Sequence, residues 1–414
     1  MAVVDHFIQG DAIKTGLIFI NRILGIDEAL GFLFRKFYYG KPQPVKNNKI
    51  FIMTYDRQFS CNPRYIVEEL LRQNKDVEIV AACSGNPVYA KGLFPKEVKL
   101  VKIKSKDMFD AMATSKIWID NALNCVWYGM PKSKGQYYIN TWHGSLGIKK
   151  LGGDRGWMRK ARKCDKITDY CITNSRFEEN VFRETFWEHV PYLKCGHARN
   201  DIFFDEAGMA EKRKTVLEYF DIPEDKLVAL YAPTFREESY SYEKIDFEGL
   251  KKALEKRFRK ECVIIVRLHN KDRLNASLKE KDWLKQGTFF GDMQELLPGI
   301  DVGITDYSSW VYDYILTGKP IFLYVPDLEH YDQDRGFYYP VESTPFPVAR
   351  TNSELSERIE QFDEAGYAIA IGSFLQDKGC YEDGRACERI VDILDALMHD
   401  RQEELKPYLA DKAL

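Results

Sequence analysis

The pattern of hydrophobic and polar positions predicts two successive series of short strands and amphipathic helices. In the first series, apolar segments typical of buried strands lie at 49–55, 77–83, 98–103, 116–121, 137–142 and 169–175, and helices at 63–73, 107–114 and 176–186. The pattern starts again after residue 196, with strands at 226–235, 262–268, 287–290, 302–305 and 321–325, and helices at 247–258, 292–298, 309–317, 352–362 and 384–405. Strands that alternate with helices indicate parallel, doubly wound sheets, so we predict an α/β fold with two domains of similar size.

A ligand site is expected between these two domains. The pattern places the first domain at 48–196 and the second at 197–390, with a further helix at 391–414. Open parallel sheets bind ligands at the carboxyl ends of their strands. Two such edges facing each other would form a cleft.

The segment 1–47 differs from both domains. Up to residue 40, apolar and aromatic side chains are interleaved with basic ones such as Lys14 and Arg35, in one or two amphipathic helices interrupted near Gly25. Such a segment can lie in a membrane interface. The alternatives are a helical hairpin packed on the first domain, or a dimer contact.

Composition narrows the classes of protein to which the chain can belong. Its 414 residues carry a formal net charge of −3, which argues against a nucleic-acid-binding polycation. The sequence has no run of about 18 apolar residues, so a membrane-spanning helix is not expected. The nine cysteines contain no CxxC pair, which predicts free thiols in a reducing cytoplasm.

Polar residues follow several predicted strands, at positions where folding alone does not require them. His143 and Gly144 follow the fifth strand of the first series. In the second series, Arg236 follows the first strand, and Arg267 and His269 share one face at the end of the second strand. Guanidinium and imidazole groups at neighbouring strand ends are suited to binding a pyrophosphate.

A polar loop at 305–309 adds to this candidate site. Thr305, Asp306, Ser308 and Ser309 lie between a buried strand and a predicted helix. The free N–H groups at a helix start, together with nearby hydroxyls, form a natural phosphate site. The combination predicts an enzyme that handles a phosphorylated, nucleotide-activated donor.

Two further segments are candidates for the same cleft. Between the domains, Gly196 permits an unusual backbone turn, and Arg199, Asn200 and Asp201 form a polar cluster that either lines the cleft or caps a helix. The segment 149–166 contains eight Lys or Arg and two Asp. A charge run is usually a solvated face, but its place after the histidine favours a surface for an anionic acceptor or lipid headgroups. The basic candidates are Lys149, Lys150, Arg155, Arg159, Lys160, Arg162 and Lys163.

Taken in order, these motifs resemble the CDP-glycerol glycerophosphotransferase family, the polymerases and primases of wall teichoic acid and capsule synthesis. The matching segments are TWHGSLGIKKLGGD, GHARND, YAPTFR, RLHN and ITDYSSWVYDYILTGKPIFLY, followed by DLEHY and RGFYY. The resemblance runs from about residue 48 to 390. It implies a GT-B architecture of two facing Rossmann-like domains. It also implies a peripheral position on the cytoplasmic face of the membrane.

The resemblance further implies an activity and site residues. The activity is transfer of glycerol phosphate from CDP-glycerol to a hydroxyl of a polyprenyl-linked acceptor, with release of CMP. The two family histidines fall on His143 and His269, the donor loop on 305–309, and the arginine of YAPTFR on Arg236. We expect His143 to act as general base, His269 to bond a phosphate oxygen or protonate the leaving group, and Arg236 and Arg267 to neutralise phosphate charge.

Departures from the family pattern leave the substrate less defined than the chemistry. The usual WHGTPLK reads WHGSLGIK, Ala198 and Asn270 replace prolines, and the P-G-P expected after RGFYY reads TPFP. None of these changes removes a group that the mechanism needs.

Several alternatives therefore stay open. They are a ribitol-phosphate or other polyol-phosphate transferase, a GT-B glycosyltransferase using a nucleotide sugar, and a non-catalytic membrane-docking scaffold. No cofactor is expected. No metal site is expected either, because the spacing of Asp306, Asp313, Asp327 and Glu329 matches no tight ligand pattern.

Overall fold

The computed structural model describes residues 26–54, 58–84, 93–151, 162–234, 244–268 and 278–410. They form two parallel-sheet α/β domains, which confirms the predicted α/β class with two domains. The first sheet has seven strands in the order β3-β2-β1-β4-β5-β6-β7, and the second has six in the order β10-β9-β8-β11-β12-β13.

The strands of both sheets are short and most of them are buried, as the apolar segments predict. Those of the first sheet are β1 (Lys46–Met53), β2 (Glu78–Cys83), β3 (Lys99–Lys102), β4 (Ser115–Asp120), β5 (Tyr137–Asn140), β6 (Tyr170–Thr173) and β7 (Tyr192–Lys194). Those of the second are β8 (Leu227–Tyr231), β9 (Cys262–Val266), β10 (Leu284–Gln286), β11 (Val302–Thr305), β12 (Ile321–Tyr324) and β13 (Val348–Ala349). In the first sheet Ile50 pairs with Ile79 and Ile117, and in the second Gly303 pairs with Leu230 and Ile321.

Helices cover both faces of each sheet. The α-helices are Ile26–Tyr38, Cys61–Arg72, Lys106–Thr114, Asn124–Trp127, Arg176–Thr185, Glu206–Phe220, Phe247–Phe258, Met293–Leu296, Val311–Tyr314, Leu328–Arg335, Asn352–Glu360, Glu364–Lys378 and Ala386–Met398. Residues 162–167 are also helical. The 3₁₀ segments are Ala198–Phe204, Leu297–Gly299, Ile315–Thr317, Val341–Ser343 and Gln402–Tyr408. Within the described residues, no helix is both long and apolar enough to cross a bilayer.

Each domain lends a segment to the core of the other. The helix Ala386–Met398 buries Ile390 and Leu394 together with Ile50 and Ile66 of the first domain. Conversely, the segment after β5 buries Leu146 in the core of the second domain. The second domain was predicted to extend to residue 390, but that boundary falls inside a helix which packs on the first domain.

The differences from the predicted elements have local causes. The strand predicted at 287–290 lies at Leu284–Gln286, because Gly287 begins a turn whose carbonyls are bound by Arg267. The helix predicted at 384–405 ends at Met398, where Asp400 takes a positive φ of 56° and the chain turns. Two helices of 15 residues, Glu206–Phe220 and Glu364–Lys378, were not predicted. Each buries only three side chains, so neither shows a clear apolar stripe.

Candidate active site between the two domains

His143 lies just after β5, at the carboxyl end of the first sheet, and its imidazole is oriented by a backbone carbonyl. The Nδ1 atom of His143 is 2.5 Å from the carbonyl oxygen of Asn121. A carbonyl oxygen can only accept, so Nδ1 donates the hydrogen and the lone pair of the neutral ring lies on Nε2. The ring also lies against the indole of Trp142, with centroids 4.5 Å apart. This tautomer is the one that a general base acting through Nε2 needs.

The carbonyl that holds His143 is itself fixed by a buried carboxylate. Asp120, the last residue of β4, accepts hydrogen bonds from the backbone N–H groups of Ala122 and Cys125 and from the hydroxyl of Tyr138. These bonds define the turn that contains Asn121. Burial raises the pKa of Asp120, while its N–H and O–H donors oppose that shift.

The backbone on both sides of His143 is also fixed. Trp142 has a φ of +49°, a left-handed conformation that costs a non-glycine residue about 1–2 kcal/mol. Its indole packs edge-on against Phe182, with centroids 5.4 Å apart. The side-chain amide of Asn62 donates to the carbonyls of Thr141 and Trp142 at 2.8 and 3.2 Å. The backbone just before His143 is therefore fixed by both the aromatic packing of Trp142 and the amide of Asn62.

The segment after His143 crosses to the second domain and binds there through its backbone. Lys150 N–H donates to the Gly336 carbonyl at 3.0 Å, and Tyr338 N–H donates to the Ile148 carbonyl at 2.8 Å. The hydroxyl of Tyr339 donates to the Leu146 carbonyl. The chain at 146–150 thus joins the RGFYY motif, so two motifs from different domains are in direct contact.

The loop at 305–309 lies beside this crossing segment. A Cβ atom added at Gly147 would be 3.4 Å from the Cβ atom of Ser309. Because Gly147 follows His143 by only four residues, the structure brings the histidine loop and the 305–309 loop together. Ser308 and Ser309 are half-buried. The helix begins at Val311 and is short, so these hydroxyls precede it rather than lie in its first turn.

Asp306 organises the 305–309 loop from within. One of its oxygens accepts from the backbone N–H and the hydroxyl of Thr234, at 2.8 and 2.7 Å, and from the N–H of Tyr307. Thr305 donates its hydroxyl to the Ala232 carbonyl at 2.7 Å. Asp306 therefore connects the loop to the YAPTF segment at the end of β8.

The other three carboxylates considered for a metal site lie in different surroundings. Asp313 binds Arg199, and Asp327 accepts from the Tyr307 hydroxyl at 3.0 Å. Glu329 is exposed. Across the described ranges, no group of three or more His, Cys, Asp or Glu side chains is placed to hold a metal ion.

Of the polar cluster predicted at 199–201, Asp201 takes the capping role, whereas Arg199 and Asn200 are buried. Arg199 donates to both oxygens of Asp313, at 3.1 and 3.0 Å, and to the Gly144 carbonyl at 2.7 Å. Asn200 donates to Asp313 as well, at 3.1 Å. Asp201 instead caps the helix Ala386–Met398, where it accepts from two backbone N–H groups.

Arg267 contacts the turn that follows β10. Its guanidinium donates to the carbonyls of Phe290 and Gly291, both at 2.8 Å. The next residue, Asp292, accepts from the backbone N–H of Cys61 in the first domain at 3.0 Å. Arg267 thus supports a turn that connects the domains, and its role in phosphate binding stays a prediction.

The remaining predicted residues differ in how far the structure describes them. Arg236 and His269 lie outside the described residues, as do Arg155, Arg159 and Lys160 of the basic segment. Among the other basic candidates, Lys150, Arg162 and Lys163 are exposed and Lys149 is half-buried.

A buried acidic cluster, which the sequence motifs did not indicate, lies behind the Gly144 loop. Glu382 accepts from the side-chain amides of Asn174 and Asn200, at 3.1 and 2.8 Å, and from the His197 backbone N–H. Glu178 contacts His197 Nε2 at 3.2 Å. Burial raises the pKa of both carboxyl groups to about 8, and burial lowers the pKa of His197 well below its usual range.

These shifts predict that the free energy of unfolding falls as the pH rises from about 6.5 to about 8. A carboxyl with a raised pKa binds its proton more tightly in the folded state than in the unfolded state. Its contribution to the free energy of unfolding is therefore present at low pH and is lost as the pH rises to the folded pKa near 8. The expected slope is on the order of 1 kcal/mol per pH unit for each group. Below about 6.5, charging of the unfolded His197 opposes this trend.

Urea unfolding at several pH values measures this slope. Glu382→Gln should flatten it, whereas Glu224→Gln, at an exposed position, should leave it unchanged. An equal slope for wild type and Glu382→Gln would contradict the assignment.

Sequence reasoning missed several residues that build the site. Asp120 and Asn121 lie at the end of a predicted strand, so the same rule that selected His143 could have selected them. Asn174 likewise lies at the end of a predicted strand. Asn62 and Glu382 gave no such signal, because they lie at a helix start and in a loop and reach the site only through tertiary contacts.

Comparison with known proteins identifies the family. The family model described as CDP-Glycerol:Poly(glycerophosphate) glycerophosphotransferase matches residues 34–395. The chain belongs to this family. It is 32% identical over 379 residues to a teichoic acid poly(glycerol phosphate) polymerase of Bacillus spizizenii, covering 84% of this chain and 92% of that protein. It is also 29% identical to the Bacillus subtilis polymerase of the same name. That match covers 84% of this chain but only 48% of the longer Bacillus subtilis protein.

A solved structure shows the same architecture. The wall teichoic acid polymerase TagF superposes with a TM-score of 0.79 at 25% identity, covering 94% of this chain and 98% of the TagF chain. A second TagF structure, obtained after a soak with CDPG, superposes with a TM-score of 0.77. The superposition covers 95% of this chain and 98% of the TagF chain. The family suggested by the sequence motifs is therefore confirmed.

Proposed function

We propose that this protein transfers glycerol phosphate from CDP-glycerol to a hydroxyl of a polyprenyl-linked acceptor in teichoic acid or capsule-type polymer synthesis, and releases CMP. The observation that carries the proposal is the close approach of the segment that follows His143 to the 305–309 loop, where Gly147 lies beside Ser309. The family match and the TagF structure soaked with CDPG support the choice of donor.

His143 is assigned the role of general base. In the proposed reaction, the acceptor oxygen attacks the phosphorus that carries glycerol, and the bond from that phosphorus to the oxygen bridging it to CMP breaks. The hydroxyl proton passes to Nε2 of His143. The hydrogen on Nδ1 stays on that nitrogen and keeps its hydrogen bond to the Asn121 carbonyl. CMP leaves with the electron pair of the broken bond. Imidazole suits this role because it titrates near neutral pH.

Donor binding is assigned to the second domain. Ser309 lies beside the crossing segment. The hydroxyls of Ser308 and Ser309 and the backbone around them are proposed to donate to the diphosphate. From the family resemblance, we propose that Arg236 and His269 also contact this diphosphate. Arg236 would neutralise its charge, and His269 would hydrogen-bond or protonate the leaving phosphate.

Incubation of the purified protein with a panel of nucleotide donors tests this proposal. The panel contains CDP-glycerol, CDP-ribitol and UDP-glucose, with and without a polyprenyl-linked acceptor. Acceptor-dependent CMP release from CDP-glycerol is expected. Release of a nucleoside diphosphate from the nucleotide sugar would show a glycosyltransferase instead, and no turnover with any donor would favour a non-catalytic scaffold.

A ribitol-phosphate transferase is the second candidate. The chain is 30% identical to a teichoic acid ribitol-phosphate primase of Bacillus spizizenii, covering 86% of this chain and 92% of that protein. Both polyol donors would use the same phosphate site, so faster CMP release from CDP-ribitol than from CDP-glycerol would decide for this candidate.

The helix Ile26–Tyr38 is proposed to hold the protein on an anionic membrane surface at the cytoplasmic face. One side of this helix binds the first domain, where Arg35 donates to the Tyr128 carbonyl at 2.7 Å. The other side exposes large apolar groups, including Leu33 (60%), Phe34 (62%) and Phe37 (73%). Amphipathic helices with such a face bind membrane interfaces. The exposed Lys150, Arg162 and Lys163 are proposed to face the anionic acceptor or lipid.

Co-sedimentation with vesicles tests this surface. The double variant Phe34→Ser/Phe37→Ser should lose most of its pelleting with vesicles that contain anionic lipid, because about 1.5–3 kcal/mol of transfer energy is removed per side chain. Ile369→Ser removes an equally exposed apolar group on the second domain and should pellet like the wild type. Unchanged pelleting of the double variant would contradict the proposed surface.

A further inference from the structure

We propose that Arg199 and Asp313 are a positioning pair that sets the His143 loop of the first domain against the 305–309 loop of the second. The pair touches neither the donor nor the acceptor in this account. Its role rests on the proposed function, since it acts by placing the proposed general base.

Arg199 holds the His143 loop directly. Its Nη2 atom donates to the carbonyl of Gly144, the residue next to His143, at 2.7 Å. Its backbone N–H donates to Oδ1 of Asn62 at 3.2 Å, and the amide of Asn62 binds the Thr141 and Trp142 carbonyls. Arg199 and Asn62 together therefore bind the backbone on both sides of the imidazole.

The same guanidinium holds the second domain. Nε and Nη2 of Arg199 donate to the two oxygens of Asp313, a bidentate pair at 3.1 and 3.0 Å. Asp313 lies in the helix Val311–Tyr314, which directly follows the 305–309 loop. A single side chain thus connects the backbone next to His143 with the element that carries the donor loop.

Burial makes this connection stiff. The side chains of Arg199 and Asp313 are 4% and 7% exposed. A bidentate guanidinium–carboxylate pair has a fixed geometry, and breaking a buried one leaves an uncompensated charge. Asn200 gives Asp313 a further donor and is itself bound by Gln294 at 2.9 Å. The network therefore has one preferred arrangement rather than several.

Catalysis is sensitive to such an arrangement. The base and the phosphorus come from different domains, so their separation depends on how the two loops meet. A displacement of about 1 Å at reacting atoms can cost roughly 100-fold in rate. Donor affinity, in contrast, depends on contacts within the second domain.

Arg199→Lys and Asp313→Asn test the pair in the full-length protein. Lysine keeps the charge but cannot bind both carboxylate oxygens and the Gly144 carbonyl at once. We expect kcat for CMP release to fall by about 10- to 100-fold, with the KM for CDP-glycerol within about 3-fold of wild type. The midpoint of the acid limb of the kcat–pH profile should stay in place, because Asn121 still holds the imidazole.

The pair between Arg213 and Asp301 is the control for geometry, with side chains 27% and 25% exposed. It is also bidentate, at 2.9 and 3.1 Å, but connects two elements within the second domain. Arg213→Lys and Asp301→Asn should lower the melting temperature while kcat stays within about 2-fold of wild type.

The outcomes separate the two claims. An equal loss of kcat in the control variants, or a loss expressed only as a raised donor KM, would overturn the positioning role. An inactive wild-type protein would overturn the proposed function, and the positioning role with it.

Discussion

Replacing His143 with alanine is expected to lower kcat for CMP release by about 10²- to 10⁴-fold, the range that a positioned general base contributes. The imidazole is held by the Asn121 carbonyl in the tautomer that accepts a proton at Nε2. Alanine removes the base but leaves the surrounding backbone bonds of Asn62 and Arg199 in place. The affinity for CDP-glycerol should therefore stay close to that of the wild type.

Steady-state kinetics and equilibrium binding of CDP-glycerol to the variant measure both quantities. His189→Ala is the control. That imidazole is 75% exposed and binds Asp165 in the helix at 162–167. Lost donor binding with preserved turnover in His143→Ala would refute the role of the base.

Replacing Asp306 with alanine should raise the KM for CDP-glycerol by about 10- to 100-fold. The carboxylate is the shared acceptor for Thr234, through both its N–H and its hydroxyl, and for the Tyr307 N–H. A buried donor left without its acceptor costs about 1–3 kcal/mol, and a 1.4 kcal/mol change is tenfold in binding. The 305–309 loop should rearrange to recover these bonds, and the donor site would be lost with it.

Donor binding by calorimetry, together with the melting temperature, checks this expectation. Asp282→Ala removes an exposed carboxylate from the same domain and serves as the control. An unchanged donor affinity in folded Asp306→Ala would show that the 305–309 loop does not form the donor site.

Local patterns in the sequence were enough to predict most of both sheets and the position of His143, but not the edge strands β7 and β13. The strands are short, apolar and followed by polar residues, so β1, β5 and β11 and the residues after them could be placed directly. The same patterns could not show that the helix Ala386–Met398 returns to the first domain. Its apolar stripe fits either core, and the choice is made by the path of the chain in three dimensions.

The candidate site was predictable where one motif supplies one residue, and not where several motifs meet. Arg199 was recognised as polar and placed between the domains, but its partner Asp313 lies more than a hundred positions away. The motifs predicted a phosphate contact for Arg267, which stays a prediction, but they did not show that its guanidinium also binds the carbonyls of the 287–291 turn. A strand-end arginine has the same local sequence in both roles, so only the tertiary neighbours distinguish them.

The central claim is that the two loops bring the imidazole of His143 to a diphosphate bound at 305–309. A crystal structure of the His143→Ala variant with CDP-glycerol bound tests this most directly. We expect the diphosphate on the backbone and hydroxyls of 305–309, with the glycerol-bearing phosphorus facing the space that the imidazole of the wild type occupies. A donor seated away from that loop, with its phosphorus out of reach of position 143, would contradict the account.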